Sequence, residues 1–96
     1  MNKYEAMIIV KADLSDDDKK TLFKQLDDVI TKNGGAITQS GVWAERRKLY
    51  FPIKKAMEGI YYLVAFNAPA GTIKEVRGNY RLNENVLRVL FTRMDN

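Results

Sequence analysis

The side chains able to do chemistry in this 96-residue chain are carboxylates, amines, guanidiniums, hydroxyls and phenols, because it has neither His nor Cys. Their absence excludes thiol nucleophiles, Ser-His-Asp triads, disulfides and the usual zinc ligand sets. Ser15-Asp16-Asp17-Asp18 places three carboxylates in a row, as a metal or acid–base site would. The same run also reads as a helix start. Ser15 caps, Asp18 takes the capping-box position, and the negative charges sit at the positive end of the dipole. Asp27, Asp28, Glu58 and Glu84 are scattered over predicted helix faces and turns. Without His, a general base near neutral pH would need a strongly shifted carboxylate or Lys. Asn33-Gly34-Gly35 is a left-handed helix stop. It is no phosphate loop, because the Lys-Ser/Thr that follows one is missing.

The cations are more suggestive. Net charge is +4, unevenly spread: residues 1–35 hold six Lys against seven acids, and residues 36–96 hold ten basic residues against five acids. A basic half on a small chain points to a polyanion partner, although a solubilising surface has the same composition. Arg46, Arg47, Lys48, Lys54 and Lys55 crowd one ten-residue window, while Arg88 and Arg93 flank the last apolar run. No apolar run approaches the roughly 20 residues of a membrane span. The opening MNKYEAMIIVKADLSDDD has a four-residue apolar run followed by acids, unlike a signal peptide. The expectation is a soluble cytoplasmic protein.

Six elements must position these groups. Lys3 to Lys11 is an apolar strand with charged ends. Leu22, Phe23, Leu26, Val29 and Ile30 follow Ser15 at helical spacing. Residues 36 to about 50 form a second strand, interrupted at Gly41 and ended by Pro52. Residues 54–58 are a polar loop, residues 59–66 the most apolar strand, and Ala68-Pro69 breaks it. Residues 70–81 form a weaker helix with Ile73, Val76 and Tyr80 on one face, in which Gly78 costs about 1 kcal/mol relative to Ala. Val86 to Arg93 is the last strand. The order βαββαβ predicts an α+β, ferredoxin-like domain over residues 1–96, a four-stranded antiparallel sheet with two helices on one face. Strands one and three are central, and the charged edge strands resist sheet-to-sheet pairing.

Strand alternation then assigns side chains to faces. Ala6, Ile8, Val10, Tyr62, Val64, Phe66, Leu87, Val89 and Phe91 point to the core. Lys3, Glu5, Met7, Ile9, Tyr61, Leu63, Ala65, Arg88, Leu90 and Thr92 take the open face. A solvated face should be polar, yet Met7, Ile9, Tyr61, Leu63 and Leu90 are apolar there. That patch marks a docking surface unless other segments fold over it.

The residues resemble one family, the bacterial small-subunit ribosomal protein S6 family, over nearly the whole chain. The resemblance rests on Tyr4-Glu5; Arg46-Arg47 before Leu49-x-Phe51-Pro52-Ile53; Glu58-Gly59-x-Tyr61; and Leu82-x-x-Asn85-Val86-x-Arg88, then Arg93. Trp43 lies one residue further from Pro52 than the family pattern places it. Ala44 replaces a Gly and Tyr50 an Ala, so a bulge is expected in strand two. The resemblance implies a non-enzymatic component of the small ribosomal subunit without a cofactor, metal or small-molecule substrate. It also implies binding to the central domain of small-subunit ribosomal RNA, at the platform, as a heterodimer with ribosomal protein S18. RNA contacts are then expected from Lys3, Tyr4, Arg46, Arg47, Lys54, Arg88 and Arg93, with Tyr4 restricted to its ring edge or hydroxyl because it alternates toward the core. Partner contacts are expected from Met7, Ile9, Tyr61, Leu63 and Leu90. Lys3, Tyr4, Arg88 and Arg93 are expected in one basic strip, although edge protection explains the arginines equally well. Two other readings use the same fold: an RRM-like single-strand RNA-binding module built on Tyr61, and a small acyl-phosphate or phosphate hydrolase.

Overall fold

The computed structural model describes residues 1–53 and 56–94, without the side chains of residues 46 and 50–53. The elements run β1 (Asn2–Lys11), α1 (Asp16–Lys32), β2 (Ala36–Ile53), β3 (Ala56–Ala68), α2 (Thr72–Arg81) and β4 (Val86–Arg93). The antiparallel sheet has the order β2-β3-β1-β4, so the two most apolar strands are central, as their composition requires.

Local chemistry sets the helix ends. Ser15 Oγ accepts the Asp18 amide at 3.1 Å, and Asp16, Asp17 and Asp18 fill the first turn of α1. The acidic triplet therefore stabilises a helix N-terminus. At the other end Asn33 closes the helix and Gly34 adopts φ 91°, a left-handed backbone that glycine alone takes without cost. α2 begins two residues later than the sequence suggests, because Gly71 occupies the cap and offers no side chain to bond.

Both helices pack on one sheet face. Leu22, Leu26 and Ile30 of α1 and Val76 and Tyr80 of α2 are buried against Ala6, Ile8, Val10, Tyr62, Val64 and Phe66. Two hydrogen bonds tie the ends of this layer together. Tyr80 Oη donates to the Leu26 carbonyl at 2.7 Å, and Thr72 Oγ1 donates to the Asn33 carbonyl at 2.7 Å. Burial pushes the Tyr80 phenol well above its ordinary range, so it stays a donor.

Four expectations need correction, three along β2 and its hairpin and one at β4. β2 is not interrupted at Gly41, which pairs with Leu63 inside the ladder. Nor does it end before Pro52; it runs to Ile53, as an edge strand with one unpaired side tolerates proline. The polar segment at 54–58 is not all loop. β3 begins at Ala56, and Lys54 and Lys55 lie outside the described residues. At β4 a bulge between Ile9 and Val10 of its partner sets Val10 opposite Val86, not Leu87. Val86 thus joins the main core in the place assigned to Leu87, and Leu87 is buried outside that cluster.

Candidate protein and nucleic-acid interface

The uncovered sheet face is built from rows that cross the strands. Met7 of β1 pairs with Leu63 on one side and Leu90 on the other. The next row joins Tyr61, Ile9 and Arg88, and the row beyond Met7 joins Ala65, Glu5 and Thr92. Met7, Ile9, Tyr61 and Leu63 are half-buried by their neighbours, and Leu90 is 62% exposed. All five partner residues expected from parity therefore lie on this one face.

The sequence reading missed two residues there. Trp43 is 61% exposed, and its ring lies 5.9 Å from that of Tyr61, tilted by 54°. Leu49 is buried outside the main core. A Cβ added at Gly59 would meet Ile9 Cγ2 at 2.5 Å and Leu49 Cδ2 at 3.6 Å. Leu49 and Ile9 thus close over the bare backbone of Gly59, and part of β2 shields one end of the patch. The register of β2 against β3 shifts between Ile37 and Gln39, Val42 and Ala44, Ala44 and Arg47, and Lys48 and Ile53. Those irregularities satisfy the bulge expected near Trp43, and they cancel the parity that would have placed Trp43 and Leu49. The available signal was compositional: small residues at 41, 44 and 59 beside large apolar ones.

The expected basic groups spread further than the strip drawn from sequence. Tyr4 pairs with Arg93, but Arg88 pairs with Ile9, five residues along β1. Arg88 and Arg93 consequently occupy opposite ends of β4, about 16 Å apart at the usual rise per residue. At the Arg93 end, the guanidinium donates to Asn2 Oδ1 at 3.1 Å, and Lys3 is exposed beside it. Tyr4 is 8% exposed and its ring packs 5.7 Å from Phe66. Its hydroxyl accepts from Asn2 Nδ2 at 3.2 Å. Arg47 is exposed opposite Gly59, while the Arg46 side chain and Lys54 fall outside the described residues.

The acids do not converge. Asp28 pairs with Lys24 at 3.3 Å, Glu58 lies opposite Lys48 in the hairpin, and Glu84 is exposed between α2 and β4. Asp27 accepts from Tyr62 Oη at 2.9 and 3.1 Å to its two oxygens and from Ser40 Oγ at 3.4 Å. Phe23 stacks on Tyr62 at 4.3 Å. Partial burial raises the Asp27 pKa against the lowering effect of these hydroxyls, and Tyr62 is pushed up to about 12, chiefly by burial. This cluster staples α1 to the sheet. Among the described residues no three His, Cys, Asp or Glu side chains are grouped to hold a metal, and no helix is long and apolar enough to cross a membrane.

A family model for ribosomal protein S6 matches residues 3–93. The chain belongs to the ribosomal protein S6 family. The small ribosomal subunit protein bS6 of Caldanaerobacter subterraneus subsp. tengcongensis is 37% identical over 95 residues, covering 99% of each chain. That of Campylobacter hominis is 41% identical over 96 residues, which are all of this chain and 66% of that longer one. The crystal structure of 30S ribosomal protein S6 from Thermotoga maritima matches with a TM-score of 0.84 at 24% identity, over 97% of this chain and 87% of the other. That match shows the shared ferredoxin-like fold. This S6-family chain is accordingly a structural, non-enzymatic component of the bacterial small ribosomal subunit, in the cytoplasm.

Proposed function

We propose that the chain joins the small subunit by binding the central domain of its ribosomal RNA, at the platform, as a heterodimer with ribosomal protein S18. The observation that carries this reading is the row Leu63–Met7–Leu90, with Tyr61, Ile9 and Trp43 beside it, on a sheet face that no helix covers. A contiguous apolar face with central aromatics fits a protein partner, because such anchors supply most of an interface's affinity. Lys3, Arg47, Arg88 and Arg93 surround the face and suit phosphate contacts, which position a protein on RNA. Tyr4 contributes its hydroxyl edge, and Arg46 and Lys54 belong to the same proposed RNA-contacting set.

The test is a calorimetric titration of S18 into the protein, with a thermal melt of each variant. Tyr61→Ala should weaken heterodimer formation by about 2 kcal/mol or more while the melting temperature holds. Unchanged affinity removes Tyr61 from the interface. Arg88→Gln with Arg93→Gln should flatten the salt dependence of RNA assembly, by roughly 0.7–0.9 in slope per lost phosphate contact. The Trp43–Tyr61 pair also favours a second reading, single-strand RNA stacked on exposed aromatics as in RRM modules. Salt-dependent binding of unstructured oligonucleotides without S18, lost in Trp43→Ala, would select it.

A further inference from the structure

A second basic surface lies away from the open sheet face. α2 carries Lys74, Arg77 and Arg81 at spacings of three and four residues, against one acid, Glu75. At about 100° per residue these three cations and Gly78 share roughly 100° of helix surface, and Glu75 and Asn79 fall on the flank beyond Gly78. Lys74, Arg77, Gly78 and Arg81 are all exposed. Beside this stripe, a groove of about 350 Å³ runs between α2 and β4, lined by Arg77, Tyr80 and Arg81 on one wall and Leu87 and Arg88 on the other. No acid lines it. Among the described residues none of its three arginines forms an ion pair; Arg77 lies 5.3 Å over the Phe91 ring.

Gly78 is the independent observation. A glycine inside a helix is destabilising, yet a Cβ there would meet nothing within 4 Å and the backbone is not left-handed. Nothing in this chain's own packing calls for glycine at that point. A bare patch between Lys74 and Arg81 does suit a ligand that must come close to the helix.

We propose that the outer face of α2 and the α2–β4 groove form a track for an RNA phosphodiester backbone, with Lys74, Arg77 and Arg81 as its cations, Arg88 where it borders the partner face, and Gly78 as the point of closest approach. This rests on the RNA-binding reading above and extends it from Arg88, which the two share, to the outer face of α2, which that reading does not use. Spaced cations without acids match a repeating anion, and planar guanidiniums bond two phosphate oxygens at once. An acidic protein segment is the competing occupant and is separated by the test.

The test is reconstitution of the subunit from its ribosomal RNA and remaining proteins, with incorporation measured from 50 to 200 mM salt. Lys74→Gln with Arg81→Gln spares Arg77 and the core. This pair should lower incorporation on the order of tenfold at the upper salt and reduce the slope by about 1.5, two contacts' worth. Gly78→Ala should raise the melting temperature and yet weaken incorporation, opposite signs that a purely structural glycine would not give. Lys20→Gln with Lys32→Gln removes the same net charge from α1 and should leave incorporation at the parent level. If the parent protein is not incorporated, the RNA-binding reading and the track both fall. If the parent is incorporated and the α2 pair behaves like it, or no worse than the α1 pair, the track alone is overturned. Loss of S18 binding in the α2 pair with an unchanged salt slope would assign the surface to protein and overturn it too.

Discussion

Asp27 is a carboxylate that the fold has partly withdrawn from water. Its two hydroxyl donors do not offset that burial, so the folded protein holds the Asp27 proton to higher pH than the unfolded chain does. The sign comes from linkage: with the native pKa raised above its ordinary 3.8, stability at this site is full below that value and falls as pH rises through the native pKa. Asp27→Asn keeps an oxygen for Tyr62 and cannot ionise. Its stability relative to the parent should therefore increase as pH rises from about 3 to 7. Thermal melts of both proteins across that range check it; a constant or declining difference would contradict it. Tyr80 tests the neighbouring layer. Tyr80→Phe loses the bond to the Leu26 carbonyl and should cost about 1 kcal/mol in chemical denaturation, because only the hydroxyl is removed from an otherwise filled site.

Among the elements, the regular strands were legible and β2 was not. Alternation reads burial correctly along β1 and β3 because one face is packed and every second residue must be apolar. The same rule fails at Val86–Leu87 and repeatedly along β2, where each bulge reverses the parity of the residues beyond it. Trp43 and Leu49 were therefore unassignable, although five partner-face residues on the regular strands were placed. Of the expected RNA contacts, Lys3, Arg47, Arg88 and Arg93 are exposed, but sequence had gathered Arg88 and Arg93 into one strip and the ladder separates them. Glycines in the β2–β3 pair provide an element-scale prediction. Gly59→Ala forces Ile9 to move, since a Cβ 2.5 Å from Ile9 Cγ2 is untenable, and should cost about 1–3 kcal/mol. Gly41→Ala meets nothing within 4 Å and should stay within about 0.5 kcal/mol of the parent. Equal denaturant midpoints for the two variants would mean that Leu49 and Ile9 do not close over β3.

For the molecule as a whole, the sheet is a wall between a helix-covered core and a face that neither helix covers. The two sides make different demands on sequence: the core needs volume and periodicity, which can be read from one chain, whereas an open face is under neither constraint. The position of Trp43 on that face has an optical consequence. It is the chain's single tryptophan and is mostly in water already in the folded state. Its emission should therefore change little when the protein unfolds, making it a poor reporter of stability. Burial under a docked partner would shift the emission to shorter wavelength and alter energy transfer from Tyr61. Native fluorescence should thus track the capture of a partner in real time without any attached dye, and an emission maximum that stays fixed through saturating partner would place Trp43 outside the contact.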